Sequence, residues 1–198
     1  MKKVSIAIMS LAVLGLVSCK DEVKEKEVTE EVVVEEVTKN TTEKVVAKDK
    51  KLSFELYPKS DSEAKGKVVI IEHEGKVYFT AEIEGLSEGT HAIHLHEKAD
   101  CSSDDGKSTG GHWNPTFTSH GKWGSEDGYH LGDIGNFEAN ARGNGVIDFT
   151  TDQWCIGCGD EKKDIVGKAV IVHQGVDDFV SQPSGAAGAR ISCAAIIQ

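Results

Sequence analysis

Residues 94–133 read HLHEKADCSSDDGKSTGGHWNPTFTSHGKWGSEDGYHLGD and hold five of the chain's eight histidines: His94, His96, His112, His120 and His130. Asp133 closes the stretch, and His173 follows later in IVHQGVDD. Imidazole suits zinc and copper, and zinc also accepts a carboxylate oxygen as one of its four ligands. A lone histidine would say little, because surface or core roles are the plainer account of one. Six of them, with an i,i+2 pair and a loop cluster, point to a bound metal.

The elements that must position these groups are strands and loops. Residues two apart on a strand share a face, so His94 and His96 project together with Leu95 opposite. The later histidines are spread through a Gly-rich polar stretch that fits no regular element. A loop of that length in a compact domain is functional or disordered, and several imidazoles with a carboxylate give a metal the means to order it. Short β-branched or alternating runs surround it: LSFELY, KVVIIEH and KVYFTAEI. In the last of these Val77, Phe79, Ala81 and Ile83 fall on one face, and Glu74-Gly75 is a hairpin turn between two runs. Further strands fit 90–96, 133–139, 145–150, 168–173 and 190–196, with NARGN (140–144) as a turn. No segment sustains a helical period. Eight short strands with turn signals predict an all-β antiparallel sandwich or barrel.

In order along the chain, HLHE, GGHWNP, SHG, HLGDIGN, VHQGVDD and GARISC resemble the copper/zinc superoxide dismutases over residues 52–198. The resemblance implies an eight-stranded Greek-key barrel with long metal-binding and guidance loops on its outside. It implies copper on His94, His96, His112 and His173, and zinc on His112, His120, His130 and Asp133. His112 would be the shared, bridging ligand and a catalytic group. Asp177 matches the carboxylate that links a copper ligand to a zinc ligand; a solvated loop acid is its plainer reading. Arg190 matches the arginine that guides the superoxide anion, against the plainer reading of a surface ion pair. His91 matches a structural hydrogen-bonding position, whereas His73 at a strand end reads as surface. Residues 174–189 correspond to the family's charged guidance loop but carry no lysine, which leaves the metals and Arg190 to draw in substrate.

Cys101 and Cys193 match the family's disulfide. Cys155 and Cys158, in WCIGCG, depart from the pattern. In an oxidising compartment a C-x-x-C closes a small second disulfide, and roles in copper acquisition or thiol exchange stay open. The activity implied is conversion of two superoxide anions to dioxygen and hydrogen peroxide by copper redox cycling beside a structural zinc. The alternative is a non-enzymatic surface copper/zinc-binding module, since a scaffold can outlive its activity. The resemblance leaves a homodimer open.

The formal net charge is −11 over 198 residues. Ten acids and eight bases fall in 20–51, which leaves 23 acids against 12 bases in 52–198. An acidic domain argues against nucleic acid as a partner. Residues 1–19, MKKVSIAIMSLAVLGLVSC, have the basic start and short apolar run of an export signal. Their end resembles a bacterial lipoprotein cleavage box, with Cys19 the lipidated residue. Residues 20–51 are rich in Glu, Lys, Val and Thr and lack aromatics, Gly and Pro. Such a segment buries too little apolar surface to offset its ordering entropy and reads as a disordered, solvated tether. The expected place is the cell envelope, on the periplasmic or outer surface of the outer membrane. A Lys20-Asp21-Glu22 start resembles a surface-display signal.

Overall fold

The computed structural model describes residues 49–198. The export signal, Cys19 and the tether up to residue 48 lie outside the described residues. Eight strands make up the fold: β1 Lys50–Pro58, β2 Lys65–His73, β3 Lys76–Glu84, β4 Gly89–His96, β5 Gly135–Ala139, β6 Gly145–Thr151, β7 Ala169–His173 and β8 Arg190–Ala195. They close into one antiparallel barrel in the order β1-β2-β3-β6-β5-β4-β7-β8. The order departs from sequence where β3 meets β6 and β4 meets β7, as a Greek key requires. β1 takes in Lys50 and Lys51, residues that composition places in the tether. They pair with Glu72 and Ile71, so strand pairing outweighs their charge.

Alternation explains the core. Val77, Phe79, Ala81 and Ile83 of β3 are all buried while Lys76, Tyr78, Glu82 and Glu84 are exposed, the period of two that a half-buried strand shows. Phe79 meets Trp154 edge-on, at 6.3 Å between ring centroids. The β2–β3 hairpin turns on Glu74 and Gly75, both at positive φ (47° and 76°), the backbone signature of a tight two-residue turn. β4 breaks the alternation, being buried on both faces from His91 to His96. Leu95 points into the core, while the opposite face is covered by the loop that follows.

That loop, residues 97–134, is ordered by hydrogen bonds back to β4. The Trp113 N–H donates to the Leu95 carbonyl (2.8 Å), Gly132 N–H to Trp113 (2.9 Å), and Leu95 N–H to Gly132 (2.9 Å). Gly132 must be glycine, since a Cβ would collide with the Leu95 carbonyl. The loop's one regular element is a 3-10 turn, Lys107–Thr109. A disulfide between Cys101 and Cys193, 5.9 Å apart at Cα, ties the loop to β8. Cys155 and Cys158 form a second, local disulfide between β6 and β7.

Candidate metal centre

Three elements converge on one outer face of the barrel. β4 supplies His94 and His96, the end of β7 supplies His173, and the 97–134 loop supplies His112, His120, His130 and Asp133. All seven side chains are buried. Their ligand atoms form two groups: His94, His96, His112 and His173, and His112, His120, His130 and Asp133. Within each group the atoms lie within 4.8 Å of one another. His112 belongs to both and is seated by a backbone bridge to His96.

The nitrogens that face each other show what the cluster is for. His94 Nδ1, His112 Nε2, His120 Nδ1 and His130 Nδ1 are buried with no hydrogen-bond partner. His120 Nδ1 comes 2.9 Å from Asp133 Oδ2, and His130 Nδ1 3.3 Å from Oδ1. Neither nitrogen makes a hydrogen bond despite these short distances, and both rings belong to the group whose ligand atoms lie within 4.8 Å of one another. His96 Nε2 and His173 Nε2 likewise face each other at 3.4 Å. Buried polar atoms are otherwise almost always satisfied, so convergent unpaired nitrogens fit metal ions.

The remaining ring nitrogens are fixed from behind, as ligating imidazoles require. His96 Nδ1 faces the Gly110 carbonyl (3.0 Å). Asp177 spans the two groups: Oδ2 lies 2.9 Å from His94 Nε2, and Oδ1 lies 2.9 Å from His120 Nε2. Asn136 holds Asp177 through both its backbone N–H and its carbonyl. Gly185, at φ 67°, passes so close to Asp177 and His120 that any side chain would displace them. His91 Nδ1 and Nε2 sit 2.9 Å from the carbonyls of His173 and Ser87, which places it as a brace between β4 and β7. His73 is on the surface beside Asp49.

Electrostatics divides the cluster. Burial, with neighbouring rings adding to it, holds His96 and His173 well below the ordinary imidazole pKa. Burial pulls His112 down to about 4 against the opposing pull of Asp133. These rings are therefore neutral, the form that binds metal. Burial also lowers His120, but the Asp133 and Asp177 carboxylates outweigh it and raise the ring to about 9. Both carboxyls feel burial in the opposite direction, yet their histidine partners hold them well below the usual range.

A cleft of about 740 Å³ opens over His96, His112 and His173, with Arg190 on its wall. Arg190 pairs with His173 across β7 and β8 at a register shift. Its Nη1 donates to the Gly106 carbonyl (2.9 Å) and Thr109 Oγ1 (3.1 Å). The guanidinium is thereby pinned, and among the described residues it makes no salt bridge, although the Asp105 carboxylate is near enough for its charge to act on it. Lys107 also lines the cleft, 2.8 Å from Asp105. Asp105 and Glu97 line the cleft too, so Lys107 sits there as half of an ion pair and adds no free positive charge. Gln182 was also not legible: it clasps both the N–H and the carbonyl of His120 (2.9 Å each).

Comparison with known proteins agrees with this geometry. Residues 64–196 match the family model "Copper/zinc superoxide dismutase (SODC)". The chain is 38% identical over 145 residues to the extracellular superoxide dismutase [Cu-Zn] of Drosophila melanogaster, covering 69% of this chain and 77% of that protein. It is 35% identical over 140 residues to the superoxide dismutase [Cu-Zn] of Caulobacter vibrioides, covering 69% and 80%. The crystal structure of a SOD-like protein from Bacillus subtilis superposes with a TM-score of 0.65 at 28% identity, covering 73% of this chain and 97% of that one. An all-β barrel bearing two buried, sharing ligand groups thus has its class: the chain belongs to the copper/zinc superoxide dismutase family. It is an enzyme of that family, and copper and zinc are its cofactors.

Proposed function

We propose that the chain disproportionates superoxide to dioxygen and hydrogen peroxide, with copper on His94, His96, His112 and His173 and zinc on His112, His120, His130 and Asp133. Bound there, copper supplies one-electron redox cycling, while zinc, which has no redox chemistry, orders the loop. The observation that carries the assignment is the set of convergent, partnerless nitrogens around the shared ring of His112.

The chain's own residues do the rest. His112 Nε2 faces the copper group and Nδ1 the zinc group, where Asp133 Oδ1 lies 2.8 Å away. Its Nε2 is the atom at which a proton is held for the departing product. Arg190 binds and orients the superoxide anion, since a fixed guanidinium presents planar donors to a small anion. The buried rings exclude water from all but the cleft side. Asp177 fixes the tautomers of His94 and His120 together, so that the two sites are set as one.

We further propose that the protein is exported and held to the outer membrane by lipid on Cys19, with residues 20–48 as the tether, since β1 begins at Lys50. Residues 1–48 lie outside the described ones, and the proposal rests on the leader and the composition of the segment. Replacing Arg190 by glutamine separates an enzyme from a metal-holding module. Superoxide turnover should fall roughly tenfold or more, the worth of a charge-assisted bond, with copper and zinc content unchanged. Unchanged turnover, or loss of metal, would mean that Arg190 does not guide the substrate.

A further inference from the structure

The Cys155–Cys158 pair has no part in the chemistry above, yet it follows directly on two residues that bond to the loop bearing His130. Gln153 Nε2 donates to Tyr129 Oη (2.8 Å), and Trp154 Nε1 donates to the Leu131 carbonyl (2.9 Å). Tyr129 and Leu131 flank His130, so the two residues preceding Cys155 grip the chain on either side of one ligand. The Trp154 ring also packs edge-on against Trp123 of the same loop, at 5.9 Å. On the other side, Cys155 is laced to the 163–165 segment: its N–H donates to the Lys163 carbonyl, and the Cys155 carbonyl accepts from the Ile165 N–H.

The two disulfides differ in how a thiol could reach them. Cys193 is fully buried and Cys101 half-buried, whereas Cys158 is exposed and only Cys155 is covered. Cys155 and Cys158 are three residues apart, against 92 for Cys101 and Cys193. Opening the short link frees far less of the unfolded chain. Asp164 also holds the loop without help from sulfur, accepting N–H groups from Gly157, Gly159 and Val166. The fold therefore survives opening of this bond, and what loosens is the attachment at Cys155.

We propose that Cys155–Cys158 is a thiol-exchange site for dithiols whose redox state sets how tightly zinc is held; this rests on the zinc ligands assigned above. A thiolate of the dithiol attacks the exposed Cys158 sulfur. A mixed disulfide forms, and the Cys155–Cys158 bond breaks with its electron pair on the Cys155 sulfur, which takes up a proton. The second thiol of the donor then attacks the mixed disulfide, leaving an oxidised donor and two protein thiols. The protein gains two electrons and two protons, and the donor loses the same. With Cys155 released, Gln153 and Trp154 no longer hold Tyr129 and Leu131 in register, and His130 is freed to leave zinc.

The test uses the copper- and zinc-loaded chain in graded dithiothreitol. Thiols are identified by alkylation and peptide mass, and zinc release to a chromogenic chelator is timed. Cys155 and Cys158 should alkylate while Cys101–Cys193 is intact, and zinc should leave roughly tenfold faster, as when an outer partner of a ligand is lost. The Cys155→Ser/Cys158→Ser variant should release zinc at the fast rate without reductant and show no response to it. Trp154→Phe, which keeps an aromatic ring but loses the N–H, should release zinc faster with the disulfide closed and gain less on reduction. Reduction of Cys101–Cys193 first, or an opened Cys155–Cys158 with zinc release unchanged, overturns the proposal. A chain that binds no zinc at the outset overturns the ligand assignment as well.

Discussion

Asp177 shows how much one residue can carry. Its two oxygens address two metal groups, each at 2.9 Å, and its own position is fixed by Asn136 and by the side-chain-free backbone of Gly185. Replacing it with asparagine keeps the shape but leaves one oxygen and one NH2 where two acceptors stood. One of the two imidazoles must then lose its partner or change tautomer. Zinc affinity should fall by about 10- to 100-fold, the usual cost of losing such a partner, measured by competition with a chelator. An unchanged affinity would mean that His94 and His120 are oriented by packing alone. The i,i+2 pair, the loop histidines and Asp133 stood out by residue type and spacing, whereas Asp177 and Arg190 were marked only by the motifs VHQGVDD and GARISC that resemble the family. Gln182, Asn136 and Lys107 were not legible. Each acts through a hydrogen bond or placement that depends on where two distant loops meet, and none has a chemistry that marks it out in sequence.

The elements were legible where burial imposes a period. β3 alternates cleanly and its hairpin carries Glu74-Gly75, so strand and turn could both be read. β4 lacks that alternation, because its second face is covered by the loop rather than by another sheet, and it was the i,i+2 pair of His94 and His96 that marked it as a strand. The end of the 97–134 loop was read as strand from 133, whereas β5 begins at Gly135; Asp133 is held by the metal group instead of the ladder. The β6–β7 connection gave no signal for its Asp164 anchor. That carboxylate lies below the ordinary carboxylate pKa: burial opposes this, but the N–H groups of Gly159, Val166 and Gly157 outweigh it. A depressed carboxyl contributes stability above its unfolded pKa and loses it as pH falls through the folded value. Asp164→Asn should therefore unfold a few degrees below the parent at neutral pH, for a loss of about 1–2 kcal/mol. The gap should close in acid below the usual carboxylate range. Calorimetric scans of both proteins across pH check this, and a gap that persists in acid would assign the effect to packing.

At the scale of the whole molecule, an acidic domain serves an anionic substrate. With 23 acids against 12 bases in 52–198, long-range attraction is not what brings superoxide in. Lys107 is paired with Asp105, so among the described residues Arg190 is the cleft cation that makes no salt bridge, and it acts together with the metals. Salt confines such attraction to about 10 Å at 0.1 M, and capture is therefore local to the cleft. The barrel and the Cys101–Cys193 link make that cleft rigid. In the chain-entropy account this disulfide contributes about 4–5 kcal/mol for a loop of 92 residues. The central claim is that the convergent nitrogens hold metals that turn over superoxide. Its most direct test is superoxide decay after pulse radiolysis, with the chain loaded with copper and zinc. The account predicts catalysed decay in proportion to protein, abolished when copper is removed and restored when it is returned. Full occupancy of both metals with decay no faster than in buffer would contradict it.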